Sequence, residues 1–208
     1  MKDIILKLQN QGLQSLNNIE LLTLITRNME TASIIMQRAG SLARLARLNM
    51  EEISNIEGVS NLQASAIIAA LELKKRAEKE NNTGTKITGS DVAFDCLKPF
   101  AQFLNHEEFF VMFLNRANKV IKIEQTSKGG IAGTVVDVRI IFKRAIELNA
   151  SSMILAHNHP SGNLDPSQND IEITKKMVQA GTLMDVPVLD HLILADSEYK
   201  SFADEGLI

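Results

Sequence analysis

The stretch that decides the fold of the second half of the chain is His157-Asn158-His159-Pro160-Ser161-Gly162-Asn163-Leu164-Asp165-Pro166-Ser167-Gln168-Asn169-Asp170. It follows a short apolar run, 153–156, that is typical of a buried strand. Side chains alternate along a strand, so His157 and His159 are predicted to point to the same side. The Pro, Gly, Asn and Asp residues that follow predict a loop, and Ser167 stands where a helix should begin. The stretch therefore predicts two imidazoles at the end of a strand, followed by a loop and a helix.

Asp170 adds a third group of a kind that binds metal ions. It lies in the first turn of the predicted helix, where it can face back toward His157 and His159. Two neutral nitrogens and one carboxylate oxygen are three ligands of the kind that a catalytic zinc uses, with a fourth position left for water. Taken alone, Ser167 and Asp170 also fit a helix N-cap with an acidic third residue, and a lone His-x-His pair is more often an ordinary surface feature.

The complete pattern is more specific than either half. His-x-His-Pro, six intervening residues and Ser-x-x-Asp resemble the signature of JAB/MPN metalloprotease-like (JAMM) domains, and the His-Asn-His-Pro-Ser-Gly form resembles the bacterial RadC-type branch. The resemblance covers nearly the whole chain; its other motifs are Gly129-Gly130, Arg139, Ala145 to Ala150 and Leu189 to Ile193. It implies a mixed α/β sheet flanked by helices, cytidine-deaminase-like, behind a small all-α N-terminal domain. It also implies one Zn²⁺ per chain, held by His157, His159 and Asp170.

The resemblance further implies roles in hydrolysis. JAMM domains supply a glutamate upstream of the metal motif as general base, and the pattern Glu-x-Phe-Val-x-x-Phe-Leu places it at Glu107. Glu108, after a shift of one residue, and Glu124, at the end of the next strand, are the alternatives. By the same resemblance, the Ser167 hydroxyl would hydrogen-bond the oxyanion of a tetrahedral intermediate, and its competing role is that of helix N-cap.

Three polar residues near the motif receive lesser roles. A histidine on a strand is more often a satisfied core residue than a ligand, so His191 is expected at most to support a ligand from behind. His106 is expected at the surface. Asn158, between the two ligands, should point to the opposite face and stabilise the loop.

Composition restricts the class of protein. The 208 residues are 45% hydrophobic, which is enough for a sizeable core in one large or two small domains. No apolar run approaches the roughly 20 residues of a membrane span, and the first residues lack a secretory signal. The single cysteine, Cys96, favours a reducing cytoplasm. A net charge of −3 gives no overall attraction to nucleic acid.

Residues 1–80 are predicted to be helical, with Asn18 as one N-cap. Within them, 56–73 resembles a helix-hairpin-helix, whose family role is to hold a DNA phosphate on backbone N–H groups. The usual second glycine of that hairpin is Ser60 here, and glycine reaches positive φ more readily. A packing module or a weak partner-binding surface is therefore the preferred interpretation, and DNA association is the alternative.

Residues 81–88 are polar and predict a linker before the metal-binding domain at 89–208. In that domain a helix is expected from Ser90 as its N-cap, then a strand pair, a helix over 137–149, the strand 152–156 and a final strand over 186–195. The leading functional hypothesis is a zinc-dependent hydrolase that acts on an unknown peptide, isopeptide or related amide. The alternatives are DNA association and a metal-bearing interaction module without turnover. The sequence leaves the oligomeric state open.

Overall fold

A computed structural model of the chain describes residues 1–80, 82–102, 104–128, 136–195 and 197–208. Its contacts divide the chain into two compact units, Met1–Arg76 and Ala77–Ile208. The glycine pair Gly129-Gly130 lies outside the described residues. Within the described ranges, none of the helices is both long enough and apolar enough to span a bilayer.

The first unit is built from helices. Their bounds are α1 Lys2–Gln11, α2 Asn18–Thr26, α3 Met29–Ala39, α4 Leu42–Leu45, α5 Met50–Ser54 and α6 Asn61–Glu80, which continues into the second unit. Asn17, not Asn18, caps α2: its side chain accepts from the backbone of Glu20, whose carboxylate accepts from the backbone of Asn17. Leu22, Ile35 and Ile53 are among the buried side chains of this unit.

The predicted hairpin lies between α5 and α6. Gly58 takes a φ of 82°, the left-handed conformation that glycine adopts without strain. Ser60 then acts as a cap, because its Oγ accepts from Gln63 N at 3.3 Å and its own N donates to Gln63 Oε1 at 2.9 Å. The backbone N–H of Gln63 is thus capped from within the chain, and binding of a DNA phosphate at this helix start stays a prediction.

The second unit is a mixed five-stranded sheet flanked by helices, as predicted. Its strands are β1 Glu108–Leu114, β2 Val120–Lys128, β3 Ser152–Asn158, β4 Val188–Ala195 and β5 Glu198–Ser201, and its helices are α7 Ser90–Ala101, α8 Val138–Glu147 and α9 Gln168–Leu183. The strand order is β2-β1-β3-β4-β5. The β3 and β4 strands are parallel, whereas every other neighbouring pair is antiparallel.

Alternating side chains of the sheet form two separate cores. On one face, Phe110 and Met112 pack with Phe94 and Leu97 of α7. On the other face, Phe109 and Val111 pack with residues of α8 and α9, including Ile141, Phe142 and Met177. Strands with both faces covered are apolar almost throughout, and every residue of β1 and of β3 is buried. The helix that carries Asp170 therefore lies against the Phe109 face.

Two details of the second unit differ from the expectation. The N-cap of α7 is Gly89 rather than Ser90, whose hydroxyl instead hydrogen-bonds Asp204 Oδ2 at 2.5 Å. The segment predicted as a linker contacts the sheet in its described part. Gly84 N donates to Val120 O at 2.8 Å, Val120 N donates to Thr85 O at 2.9 Å, and Ile87 is buried in the core.

Candidate metal centre

The two histidines of the motif lie at the end of β3. This strand continues through Asn158, two residues beyond the predicted end, because His157 pairs with Phe109 of β1 and Asn158 pairs with Leu194 of β4. His159 follows the strand, and its backbone N donates to Leu194 O of β4 at 2.8 Å. The Nε2 atoms of His157 and His159 are 2.9 Å apart. The predicted convergence of the two imidazoles is thus present.

Asp170 reaches the histidines from the first turn of α9. Ser167 is the N-cap of this helix, and the two residues form a capping box. Asp170 Oδ2 accepts from Ser167 N at 2.7 Å and from Ser167 Oγ at 2.6 Å. Cap geometry therefore orients the carboxylate, and the Ser167 hydroxyl is engaged in the N-cap role; its oxyanion role stays a prediction.

The three side chains have the spacing of a metal site. His157 Nε2 lies 3.2 Å from Asp170 Oδ1, and His159 Nε2 lies 3.8 Å from Asp170 Oδ2. Four ligands placed tetrahedrally at about 2.0–2.1 Å from a zinc ion are about 3.3–3.4 Å from one another. The observed distances are 2.9, 3.2 and 3.8 Å, the last two to different oxygens of Asp170, and one ligand atom from each residue lies within 4.8 Å of the others. Among the described residues, this is the one group of three or more such side chains that could hold an ion.

The electrostatics keep the carboxylate ionised. Partial burial of Asp170 acts to raise its pKa, but the neighbouring His157 imidazole and the hydrogen bonds from Ser167 outweigh that effect. The pKa of Asp170 therefore lies well below its usual range. An ionised carboxylate beside two imidazole nitrogens is a donor set that suits zinc.

The remaining ring nitrogens of both ligands are also engaged. His159 Nδ1 lies 2.6 Å from the carbonyl oxygen of Asn163, and His157 Nδ1 lies 2.8 Å from His191 Nε2. Such partners fix the orientation of a metal-binding imidazole. His191 thus has the supporting position expected of it, and complete burial lowers its pKa well below the ordinary value.

Sequence reasoning missed Thr174, a buried residue of α9. Its Oγ1 lies 2.6 Å from His191 Nδ1 and 2.5 Å from the backbone oxygen of Asp170. The only local signal is a threonine four residues after a ligand in a helix, a spacing at which the hydroxyl commonly bonds the backbone one turn earlier. Its contact with β4 depends on tertiary packing.

The three glutamates considered as general base occupy different surroundings. Glu107 is exposed and directly precedes β1, two residues before Phe109, which pairs with His157; continued alternation of side chains would place Glu107 on the His157 face. Glu108 belongs to the opposite face, is 5% exposed, and contacts His106 Nε2 at 2.8 Å. These positions favour Glu107 over Glu108, and the general-base role itself stays a prediction.

Glu124 is engaged elsewhere. Its Oε1 lies 2.8 Å from Arg144 Nη2 and 2.7 Å from Lys122 Nζ. The hydrogen bonds from Arg144, followed by those from Lys122, hold its pKa below the ordinary value. A carboxylate neutralised by two cations is a weak proton acceptor, which makes Glu124 the poorest of the three.

Asn158 faces away from the two ligands that flank it, as expected. The segment it stabilises is the one that precedes β1: Oδ1 accepts from Glu108 N at 2.8 Å, and Nδ2 donates to His106 O at 3.0 Å. The peptide groups on either side of Glu107 are thereby held to the end of β3. The His106 side chain itself is half exposed, as predicted.

Comparison with known proteins supports the fold and the family. The sequence profile described as a RadC-like JAB domain matches residues 87–207. A UPF0758 protein of Flavobacterium johnsoniae is 45% identical over 210 residues, which cover 97% of this chain and 91% of the relative. UPF0758 proteins of Porphyromonas gingivalis and Alkaliphilus oremlandii are 37% and 39% identical over 97% of this chain, with 94% and 91% of each relative covered.

Proposed function

This chain belongs to the family of RadC-like JAB domain proteins, and from that premise we propose that it is a zinc-dependent hydrolase of the JAMM type. Its proposed substrate contains a peptide, isopeptide or related amide bond. The observation that carries the proposal is the meeting of His157, His159 and Asp170, which come from the end of a strand and the start of a helix. Three protein ligands leave the fourth position of a tetrahedral zinc ion for water, and the side chains of His159 and Asp170 are 10% and 16% exposed to solvent.

The chain's own residues divide the work of hydrolysis. His157, His159 and Asp170 would hold the zinc ion, which would supply Lewis-acid activation of the attacking water and of the substrate carbonyl. Glu107 accepts a proton from the attacking water and then delivers it to the leaving amine. Asn158 positions Glu107 by binding the peptide groups on both sides of it.

Ser167 adds a donor near the reacting carbonyl. Its hydroxyl now points to Asp170 Oδ2 at 2.6 Å, while its backbone N–H donates to the same oxygen at 2.7 Å. The backbone bond keeps the carboxylate oriented when the hydroxyl turns toward a developing oxyanion. Loss of one such donor typically costs about 10²- to 10³-fold in rate.

We place this activity in the cytoplasm. Cys96, the single cysteine, is a free and buried residue of α7, which suits a reducing compartment.

The test is hydrolysis in ¹⁸O-labelled water by the full chain loaded with one equivalent of zinc. A library of peptides and a second library with lysine isopeptide bonds serve as substrates, and mass spectrometry follows ¹⁸O in the newly formed carboxylates. We expect the wild-type chain to cleave members of one library and Glu107→Gln to retain zinc but lose at least 100-fold in rate.

Glu108→Gln is the matched control, because the same change falls on the opposite face of the strand. It should keep both zinc and turnover. Equal turnover by wild type and Glu107→Gln would reject the assigned base. Failure of the zinc-loaded wild-type chain to cleave either library would overturn the hydrolase and favour an interaction module without turnover.

A further inference from the structure

A continuous chain of hydrogen bonds connects two of the three metal-binding residues behind the site. It leads from His157 Nδ1 to His191 Nε2 at 2.8 Å, and from His191 Nδ1 to Thr174 Oγ1 at 2.6 Å. It ends on the backbone oxygen of Asp170, 2.5 Å from Thr174 Oγ1. Thr174 and His191 are 1% and 0% exposed, so water does not compete for these bonds.

The donor and the acceptor of each hydrogen bond in this series follow from counting protons. A carbonyl oxygen can only accept, so the one proton of the Thr174 hydroxyl is donated to Asp170 O. Thr174 Oγ1 is then the acceptor toward His191, which must carry its proton on Nδ1.

The remaining hydrogen bond, between His191 Nε2 and His157 Nδ1, determines which ring nitrogen of His157 carries the proton. His191 is fully buried, and its partners are a hydroxyl and an imidazole that do not compensate a buried positive charge, so it has a single ring proton. Its Nε2 is therefore an acceptor, and His157 must donate from Nδ1. The Nε2 atom of His157 is left without a proton and faces His159 and Asp170.

We infer that Thr174 and His191 are positioning residues that hold His157 in the single tautomer able to bind a metal ion through Nε2. The inference rests on the proposed metal site, since it explains how the chain prepares one of the donors before the ion arrives. A partner behind a metal-binding histidine typically contributes 10- to 100-fold in affinity.

The first test reads the tautomer directly in the metal-free wild-type chain. Long-range ¹H–¹⁵N correlation spectra distinguish protonated from bare ring nitrogens, and the chain has only four histidines to assign. We expect His157 and His191 both to be protonated at Nδ1 and bare at Nε2. A proton on His157 Nε2 would overturn the inference, whatever the chain proves to hydrolyse.

The second test measures zinc affinity by competition with a chromophoric chelator. Thr174→Val, which removes the hydroxyl but keeps the shape, should bind zinc 10- to 100-fold more weakly, and Thr174→Ser should recover most of that loss. Thr182→Val is the matched control: Thr182 lies on the same helix and makes the same bond to the backbone four residues earlier, at 3.0 Å, but is exposed.

Unchanged zinc affinity in folded Thr174→Val would overturn the inference and leave the hydrolase proposal standing. If Thr174→Val does not fold, the tautomer spectrum of the wild-type chain decides the question. If the wild-type chain binds no zinc, the proposed function fails, and the same spectrum still decides whether the hydrogen-bond chain sets the tautomer.

Discussion

The side chain of Asn158 holds the backbone of Glu108, with Asn158 Oδ1 2.8 Å from Glu108 N, and its amide nitrogen binds the carbonyl of His106 at 3.0 Å. Both backbone groups would lose their partner if Asn158 were truncated, and Glu108 N, whose bond to Asn158 is buried, would gain no water in exchange. We expect Asn158→Ala to lower the free energy of unfolding by about 1–3 kcal/mol, measured by urea denaturation.

Asn163→Ala is the control for this change. The Asn163 side chain also binds a backbone amide, that of Asp165 at 3.0 Å, but in an exposed loop where water replaces the bond. We expect Asn163→Ala to lower the free energy of unfolding by no more than about 0.5 kcal/mol. Equal losses in the two variants would show that Asn158 does not hold the segment before β1.

Metal content tests the donor set. His159→Ala removes one of the three converging groups and should reduce bound zinc from about one per chain to a trace, measured by elemental analysis after dialysis. His106→Ala, which removes a half-exposed imidazole of the same unit, should leave the zinc content unchanged. A full complement of zinc in His159→Ala would reject the site.

Gly181 lies where α9 passes the turn that leads into β4. A Cβ at this position would lie 2.7 Å from the carbonyl oxygen of Val186 and 3.4 Å from the Cα of Pro187, and both are backbone atoms that cannot turn aside. Alanine favours a helix over glycine by about 1 kcal/mol, but overpacking costs about 1–3 kcal/mol. We therefore expect Gly181→Ala to lower the free energy of unfolding, with a clear fall in the urea midpoint.

The comparison for Gly181 is Gln179→Ala on the exposed side of the same helix. This change should alter the free energy of unfolding by no more than about 0.5 kcal/mol. A higher free energy of unfolding for Gly181→Ala would contradict the prediction and would mean that the turn after α9 shifts to make room for the added methyl group.

The ion pair of Glu124 with Arg144 predicts a dependence of stability on pH. The pKa of Glu124 is lower in the folded chain than its ordinary 4.5, so the folded state favours the ionised form. The pair thus stabilises the fold above about pH 4.5, and its contribution is lost as the pH falls through the folded pKa. Arg144→Gln should be less stable than wild type at pH 7, and the difference in urea midpoint should narrow at pH 4 and below.

Arg139→Gln serves as the control here, because Arg139 is 90% exposed and pairs with Asp137 at the start of α8, where solvent screens the pair. The gap between this variant and wild type should be small at both pH values. A gap for Arg144→Gln that does not change between pH 7 and pH 4 would contradict the role assigned to Glu124.

Much of the site could be predicted because its signals are local. The alternation of His157 and His159 along an extended segment and the capping spacing of Ser167 and Asp170 depend only on neighbouring residues. Placing Thr174 against His191 requires the packing of α9 on β4, and no short-range pattern contains it.

The same limit explains the details that were wrong in the rest of the fold. Adjacent asparagines can both cap a helix, and the choice of Asn17 over Asn18 depends on the reach of Glu20. The Ser90 hydroxyl does not cap the helix because it donates to Asp204, which is distant in sequence. The end of β3 depends on pairing with both β1 and β4, so a segment predicted to stop at Ala156 continues through Asn158.

The backbone bonds between residues 84–87 and the start of β2 have a practical consequence for dissecting the chain. A fragment that begins at residue 89 would lose the partners of Val120 N and Val120 O together with the buried side chain of Ile87. The start of β2 would then have unpaired backbone groups, and an unpaired strand edge favours pairing with a second chain and aggregation. A fragment that begins at Ala77, at the division between the two units, keeps the contacts of residues 84–87 with β2 and is better suited to work on the sheet unit alone.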